Sequence, residues 1–197
     1  MLLVVLLAAV VWVVVAVSWS RRPRHRDDAG TIVTLAVLGS GGHTSELLTV
    51  MKGMDRGRYR PLHYVVADTD RTSQGRVLDQ DAVVHLLPRS RHVGQSFLSA
   101  VPTTLVAILA AIRLVLSVRP ELVLCNGPGT CVPICIAAVA SRLLGRSCHI
   151  VFIESFCRVR TLSLSGRIMY HVAASFYVQW PTLQARYPRA KYIGLLC

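Results

Sequence analysis

Three short segments hold residue types that together suit an anionic ligand: GSGGHT at 39–44, CNGPGTC at 125–131 and ESFCR at 154–158. Each follows an apolar run that reads as a strand. Glycines let the backbone approach a ligand closely. The amphipathic run from Ser45 to Met54 directly behind GSGGHT reads as a helix, whose first turn offers unpaired N–H groups and a partial positive charge. The segments supply Gly39, Ser40, Gly41, Gly42, His43 and Thr44, then Asn126, Gly127, Gly129 and Thr130, then Glu154 and Arg158. A phosphate or diphosphate is the natural guest of such a set. Two common nucleotide signatures fail: the dinucleotide fingerprint would need glycine where Thr44 stands, and no GK[ST] triplet occurs for a Walker loop. Asp68 closes the second strand at about the spacing of a ribose-binding acid, so an NAD-type oxidoreductase is the alternative reading.

The elements that must position these loops alternate along the chain. Strands are expected at Thr31 to Leu38, His63 to Ala67, Ala82 to Leu87, Leu122 to Cys125 and Cys148 to Ile153, with weaker candidates at Ser175 to Gln179 and Tyr192 to Leu195. Helical stretches fall around Val101 to Val118, Val132 to Leu144, Leu162 to Val172 and Thr182 to Arg186. Apolar strands separated by helices indicate a parallel sheet covered on both faces, an α/β doubly wound Rossmann-like domain. Ligands of such sheets bind beyond the carboxyl ends of the strands. His43, Asn126, Glu154 and Arg158 are thereby brought towards one crevice.

Composition narrows the partners. The chain has 197 residues, 53% of them hydrophobic and 16% charged, and a formal net charge of +12. One packed domain fits that length, with more apolar residues than a soluble core needs. Only Lys52 and Lys191 are lysines, so the charge is carried by arginine, whose planar fork grips phosphate in two places. There is no basic stripe interleaved with aromatics, which argues against nucleic acid and for phospholipid headgroups or a diphosphate substrate. The six cysteines lie in apolar surroundings without a CxxC pair, so neither a zinc site nor a disulfide framework is expected, and free thiols suggest the cytosol.

Leu2 to Val17 is an uninterrupted apolar run closed by Arg21, Arg22, Arg24, His25 and Arg26. At ~1.5 Å per residue, Met1 to Ser20 just spans the ~30 Å of bilayer hydrocarbon. A cleavable signal peptide would place its basic residues before the apolar run, whereas here they follow it. The expected organisation is an anchor over 1–20, a basic linker over 21–30 and an α/β domain over 31–197. Arginine-rich flanks stay cytoplasmic, which puts the domain in the cytosol. Phe97 to Val118 is also long and apolar, but a second span there would part the next strand from its sheet. It reads as a surface helix, against the bilayer or simply buried.

Seven ordered blocks carry a resemblance that runs over nearly the whole chain: GSGGHT at 39–44, HYVVADTD at 63–70, PRSR at 88–91, RPELVLCNGPGTCVPIC at 119–135, ESFCRV at 154–159, TLSLSG at 161–166 and VQWP at 178–181. In these the chain resembles the membrane subunit of the N-acetylglucosaminyltransferase that forms chitobiosyldiphosphodolichol. More distantly, the glycine turn with its histidine and the later glutamate are similar to the acceptor half of the bacterial glycosyltransferase that makes the peptidoglycan lipid precursor, which has the two-domain GT-B fold. The resemblance implies that this chain is the N-terminal, acceptor-binding half of a split GT-B enzyme in the endoplasmic reticulum membrane. It implies that a small cytosolic partner brings UDP-GlcNAc, that the lipid acceptor is GlcNAc-diphosphodolichol, and that neither cofactor nor metal is needed.

The implied reaction is attack of a GlcNAc 4-hydroxyl on the anomeric carbon of UDP-GlcNAc with inversion, which requires a base beside the acceptor hydroxyl. His43 is the first candidate, against a role in capping the next helix or binding the diphosphate. Glu154 is the second, against a role as partner of Arg158. Asn126, Gly127 and Gly129 line the acceptor site or form a rigid turn, and Arg89 and Arg91 bind an anion or sit in a solvated loop. A membrane scaffold without catalytic residues is the rival from another class; it would have no use for His43, Glu154 and two glycine loops at one end of a sheet.

Overall fold

A computed structural model describes residues 30–77, 81–91, 94–96, 99–127 and 129–196. The expected anchor, and all of the expected basic linker except Gly30, lie outside the described residues. Seven strands form one sheet: β1 (Thr34–Val37), β2 (Leu62–Ala67), β3 (Val83–Leu87), β4 (Leu122–Asn126), β5 (His149–Ile153), β6 (Ser175–Val178) and β7 (Lys191–Tyr192). Their order is β3-β2-β1-β4-β5-β6-β7, and each neighbouring pair is parallel. The order reverses direction between β1 and β4, so the loops after these two strands diverge and leave a crevice at their carboxyl ends.

The strands form where the sequence is apolar and β-branched and where both faces are covered. In β1 all four residues are buried, as a central parallel strand requires. The face formed by Ala36, Leu38, Tyr64, Val66, Leu124 and Ile153 is covered by Leu47 and Met51 of α1 (Gly42–Lys52). The opposite face packs Leu35, Val37, Val65, Val123, Ile150, Phe152 and Phe176 under three helices: α3 (Ala100–Val118), α4 (Cys131–Leu143) and α5 (Leu164–Val172). Cys125, Cys131, Cys135 and Cys148 are free thiols inside this second core, acting as small apolar fillers. Burial pushes the Cys148 thiol up to about 12, so it does not ionise at physiological pH.

Two smaller elements complete the domain: α2 (Arg71–Gln74), capped by Asp70, and α6 (Pro181–Arg186). No sequence pattern predicts α2, and α1 begins three residues before the expected Ser45, inside the glycine turn itself. The last strand covers Lys191–Tyr192 rather than Tyr192 to Leu195. Among the described residues α3 alone is long and apolar enough to cross a membrane. It joins β3 to β4, which are parallel members of one sheet, so α3 runs along the domain. Ala100, Ala107, Ala111 and Val115 face the core while Val101, Leu105, Val106 and Leu109 are exposed.

Candidate functional site

The crevice at the β1/β4 junction is bordered by two helix N-termini. Helix α1 begins behind Gly41, and α4 begins behind Thr130; neither has a side-chain cap nor an acidic residue in its first turn. Each therefore presents the positive end of a helix dipole with no side-chain cap, although at the start of α4 the Val132 N–H is taken by the Gly129 carbonyl at 3.3 Å and Pro133 has no N–H. The Oγ1 of Thr130 is buried without a hydrogen-bond partner among the described residues. Gly41 sits at φ 64°, a left-handed conformation that glycine adopts without the strain a side chain would bring. Arg76 adds a cation here, donating to the Gly41 carbonyl at 3.1 Å and to Ser45 Oγ at 2.7 Å.

His43, in the first turn of α1, meets Asn126 at the end of β4, with 3.0 Å between His43 Nδ1 and Asn126 Oδ1. The Asn126 Nδ2 donates to Glu46 Oε2 at 2.8 Å, and Ser155 Oγ donates to Glu46 Oε1 at 2.8 Å. Asn126, Glu46 and Ser155 are 1%, 3% and 4% exposed, so this polar chain is inside the protein with only His43 reaching its edge. It ties together β1, β4 and β5 through the residues that follow them. Gly127, at φ 65°, lies against the histidine: a Cβ there would fall 2.8 Å from His43 Cε1. Gly127→Ala should therefore combine backbone strain with displacement of the ring, at a cost of about 1–3 kcal/mol that thermal denaturation of the chain would register as a lowered melting temperature.

Several expected ligand contacts are used internally instead. Thr44 is fully buried; its hydroxyl binds the Gly39 carbonyl and meets Ser73 Oγ at 2.7 Å, and Ser73 is in turn held by Asp70. Thr44 and Gly39 thus lock the glycine turn onto α2 and leave Ser40, Gly41 and Gly42 as its exposed part. Both ends of the Asn126 amide are likewise engaged within the protein. Glu154 is fully buried, and its carboxylate accepts from Ser155 N at 3.1 Å, Ser163 N at 3.0 Å and Ser163 Oγ at 3.1 Å. Burial raises its pKa, with the donors and the Arg158 charge pulling the other way. A carboxylate bonded in this way holds the 154–166 loop. Arg158 is exposed.

The loop holding Arg89 and Arg91 joins the crevice from the far side. Ser90 Oγ donates to the Gly129 carbonyl at 3.3 Å, and Thr103 and Thr104 at the start of α3 donate to the Ser90 carbonyl at 2.8 and 3.0 Å. On the other flank, Trp180 Nε1 and Thr182 Oγ1 fasten the 156–159 segment through its carbonyls at 2.6 Å each. Glu46, Ser155, Ser73 and Arg76 escaped sequence reasoning. For Glu46 the signal was there, an acid three residues beyond His43 on a helix, but that spacing is equally that of a solvated face.

Known proteins are similar to this chain over most of its length. The model of the family described as "Oligosaccharide biosynthesis protein Alg14 like" matches residues 34–196. The chain is 43% identical over 207 residues to the rat protein named UDP-N-acetylglucosamine transferase subunit ALG14, covering 98% of this chain and 93% of that one. It is 43% identical over 199 residues to the human protein of that name, covering 93% and 89%. To the Yarrowia lipolytica protein of that name it is 38% identical over 185 residues, covering 89% and 84%. Among solved structures, the Acinetobacter baumannii MurG crystal structure aligns with a TM-score of 0.60 at 20% identity, over 83% of this chain and 45% of that one, so this chain spans less than half of it. The sheet order, the glycine turn behind β1 and a match over the whole described domain lead to one assignment: the chain belongs to the Alg14-like family of oligosaccharide biosynthesis proteins.

Proposed function

We propose that this chain is the acceptor-binding subunit of a two-part N-acetylglucosaminyltransferase, holding a GlcNAc-diphospholipid of the dolichol type while a small cytosolic partner presents UDP-GlcNAc. The observation that carries this reading is His43 at the edge of a buried hydrogen-bonded chain, set between two uncapped helix N-termini. The N-termini and the Arg76 guanidinium suit the acceptor diphosphate. The exposed glycines of the turn let that diphosphate approach the backbone. His43 then accepts the proton of the acceptor 4-hydroxyl as its oxygen forms the new bond to the anomeric carbon, and UDP departs with the electrons of the broken bond. The outcome is inversion at that carbon. Thr130, Gly127 and Gly129 shape the far wall.

The exposed apolar residues of α3, continuous with the arginine-bearing loop beside Gly129, support a bilayer-facing side next to the crevice, where a lipid-borne acceptor arrives. The N-terminal apolar run anchors the chain in the endoplasmic reticulum membrane, with the domain in the cytosol. On the face beside α1, an open groove of about 1180 Å³ lined by Val151, Tyr177, His149 and Arg58 leaves part of the sheet uncovered, as a surface that receives a second subunit would. The oxidoreductase reading loses support from Thr44, whose buried hydroxyl fills the place of the third glycine.

Reconstitution in vesicles tests the proposal. The full chain with its donor-binding partner should transfer GlcNAc from UDP-GlcNAc to a GlcNAc-diphospholipid; the chain alone should show neither transfer nor tight UDP-GlcNAc binding. Micromolar binding of the sugar nucleotide by the lone chain would count against a split enzyme. Full transfer by a partner paired with an unrelated membrane anchor would reduce this chain to a scaffold.

A further inference from the structure

Glu46 takes no part in the transfer described above, yet it is 3% exposed and both its oxygens are bonded. Burying a carboxylate costs several kcal/mol unless hydrogen bonds replace its water, so a helix that needed only a polar residue here would not keep one inside. Its consequence lies two links away. Both Glu46 oxygens accept, one from Ser155 Oγ and one from Asn126 Nδ2, so the Asn126 amide turns its NH2 towards Glu46 and its oxygen towards His43. That oxygen in turn only accepts, so the proton of a neutral His43 ring must sit on Nδ1. Nε2 is left with its lone pair free.

We propose that Glu46 is a positioning residue that sets the tautomer of His43 through Asn126, keeping Nε2 as the proton acceptor. The inference rests on the reading of His43 as the base, but the tautomer itself is measurable without activity. The second Glu46 oxygen, bound by Ser155 Oγ, keeps the carboxylate from rotating away, which joins the end of β5 to the same device. Which nitrogen of a histidine carries the proton is set by the partner of the other nitrogen. Without Glu46 the Asn126 amide can turn over, offering NH2 to Nδ1 and moving the ring proton to Nε2.

The experiment uses the full chain in lipid nanodiscs with 15N-labelled histidine, His43 being assigned by its loss in His43→Gln. Wild type should show a single Nδ1–H ring. Glu46→Gln, which keeps the volume but can donate as well as accept, should show Nε2–H in part or whole. With the partner present its turnover should fall ~10–100-fold at an unchanged KM for UDP-GlcNAc. The double variant Glu46→Gln/Asn126→Asp moves the carboxylate one link closer to the ring and should restore both the Nδ1–H form and most of the turnover. A pure Nδ1–H ring in folded Glu46→Gln, or a double variant lacking Nδ1–H, overturns the proposal. If Glu46→Gln does not fold, the double variant decides alone by the same criterion. Tautomers that shift as stated while turnover stays at the wild-type level would uphold the relay and overturn instead the role of His43 as base.

Discussion

His43→Ala should lower turnover by ~10²–10⁴ at saturating UDP-GlcNAc while leaving membrane insertion and partner binding intact. The size follows from the chemistry. A sugar hydroxyl is a weak nucleophile, and without a base its proton must leave to water, a much poorer acceptor than a neutral imidazole. The sparing of the fold follows from where the ring lies. His43 is half-buried at the edge of the polar chain, and among the described residues its ring is hydrogen-bonded to Asn126, which retains Glu46 after the change. Losing one such bond at an accessible position costs about 0.5–1.5 kcal/mol, too little to unfold a domain built on two cores. Assays with purified partner, normalised to assembled complex, separate the outcomes. Near-wild-type turnover would place the base on the partner and leave this chain to present the lipid.

The same residues show what the sequence could and could not convey. The central strands were legible because their burial on both faces demands unbroken apolar runs: the expected His63 to Ala67 and Leu122 to Cys125 differ from β2 and β4 by one residue each. The loops were legible because a parallel sheet sends every strand end to one side. What lay hidden were pairings made by side chains far apart in the chain. Asn126 and Glu46 are 80 residues apart, and Ser155 and Glu46 are 109 apart. No local pattern distinguishes such an acid from one on a solvated helix face. Helix α2 was missed for a related reason: four residues hold too little periodicity to read, and its reason for forming is the clamp of Asp70 and Ser73 on Gly39.

The two acids are set differently: the sequence suggested a role for Glu154 and none for Glu46, and both carboxylates are hydrogen-bonded inside the protein. Glu154 stands at the end of a strand, the usual address of a ligand-binding residue, and its position was read correctly, but its partner is the loop nine residues further on. Ser163 accepts the N–H of Gly166 at 2.9 Å as the cap of α5 while giving its own N–H and hydroxyl to Glu154. The carboxylate thus organises the start of a helix, while Glu46 is bonded to the residue that touches His43.

Removing that organiser should cost stability rather than rate. Glu154→Ala leaves the buried Ser155 N–H and the half-buried Ser163 N–H and hydroxyl without their acceptor, at ~1–3 kcal/mol for each that finds no water. The melting temperature of the full chain should fall by roughly 5–15 °C, since a domain of this size loses about 2–4 °C per kcal/mol. Gly166→Ala should be as severe by the opposite route, because its Cβ would come to 2.0 Å from Glu154 Oε2 and 2.9 Å from Ser163 Oγ. The two changes share an obstacle, so Gly166→Ala should be milder in the Glu154→Ala background, with a coupling of about 0.5–3 kcal/mol. The pH dependence has a definite sign. Because the folded chain holds the Glu154 proton more tightly than the unfolded chain, the stability this group lends is complete below the ordinary carboxyl range. It is lost as the pH rises through the raised folded value. The gap in melting temperature between wild type and Glu154→Ala should therefore be widest in acid and narrow towards neutrality. Turnover per folded complex should stay within a few-fold of wild type. A Glu154→Ala chain that melts like the wild type yet has lost its turnover would instead place this carboxylate at the substrate.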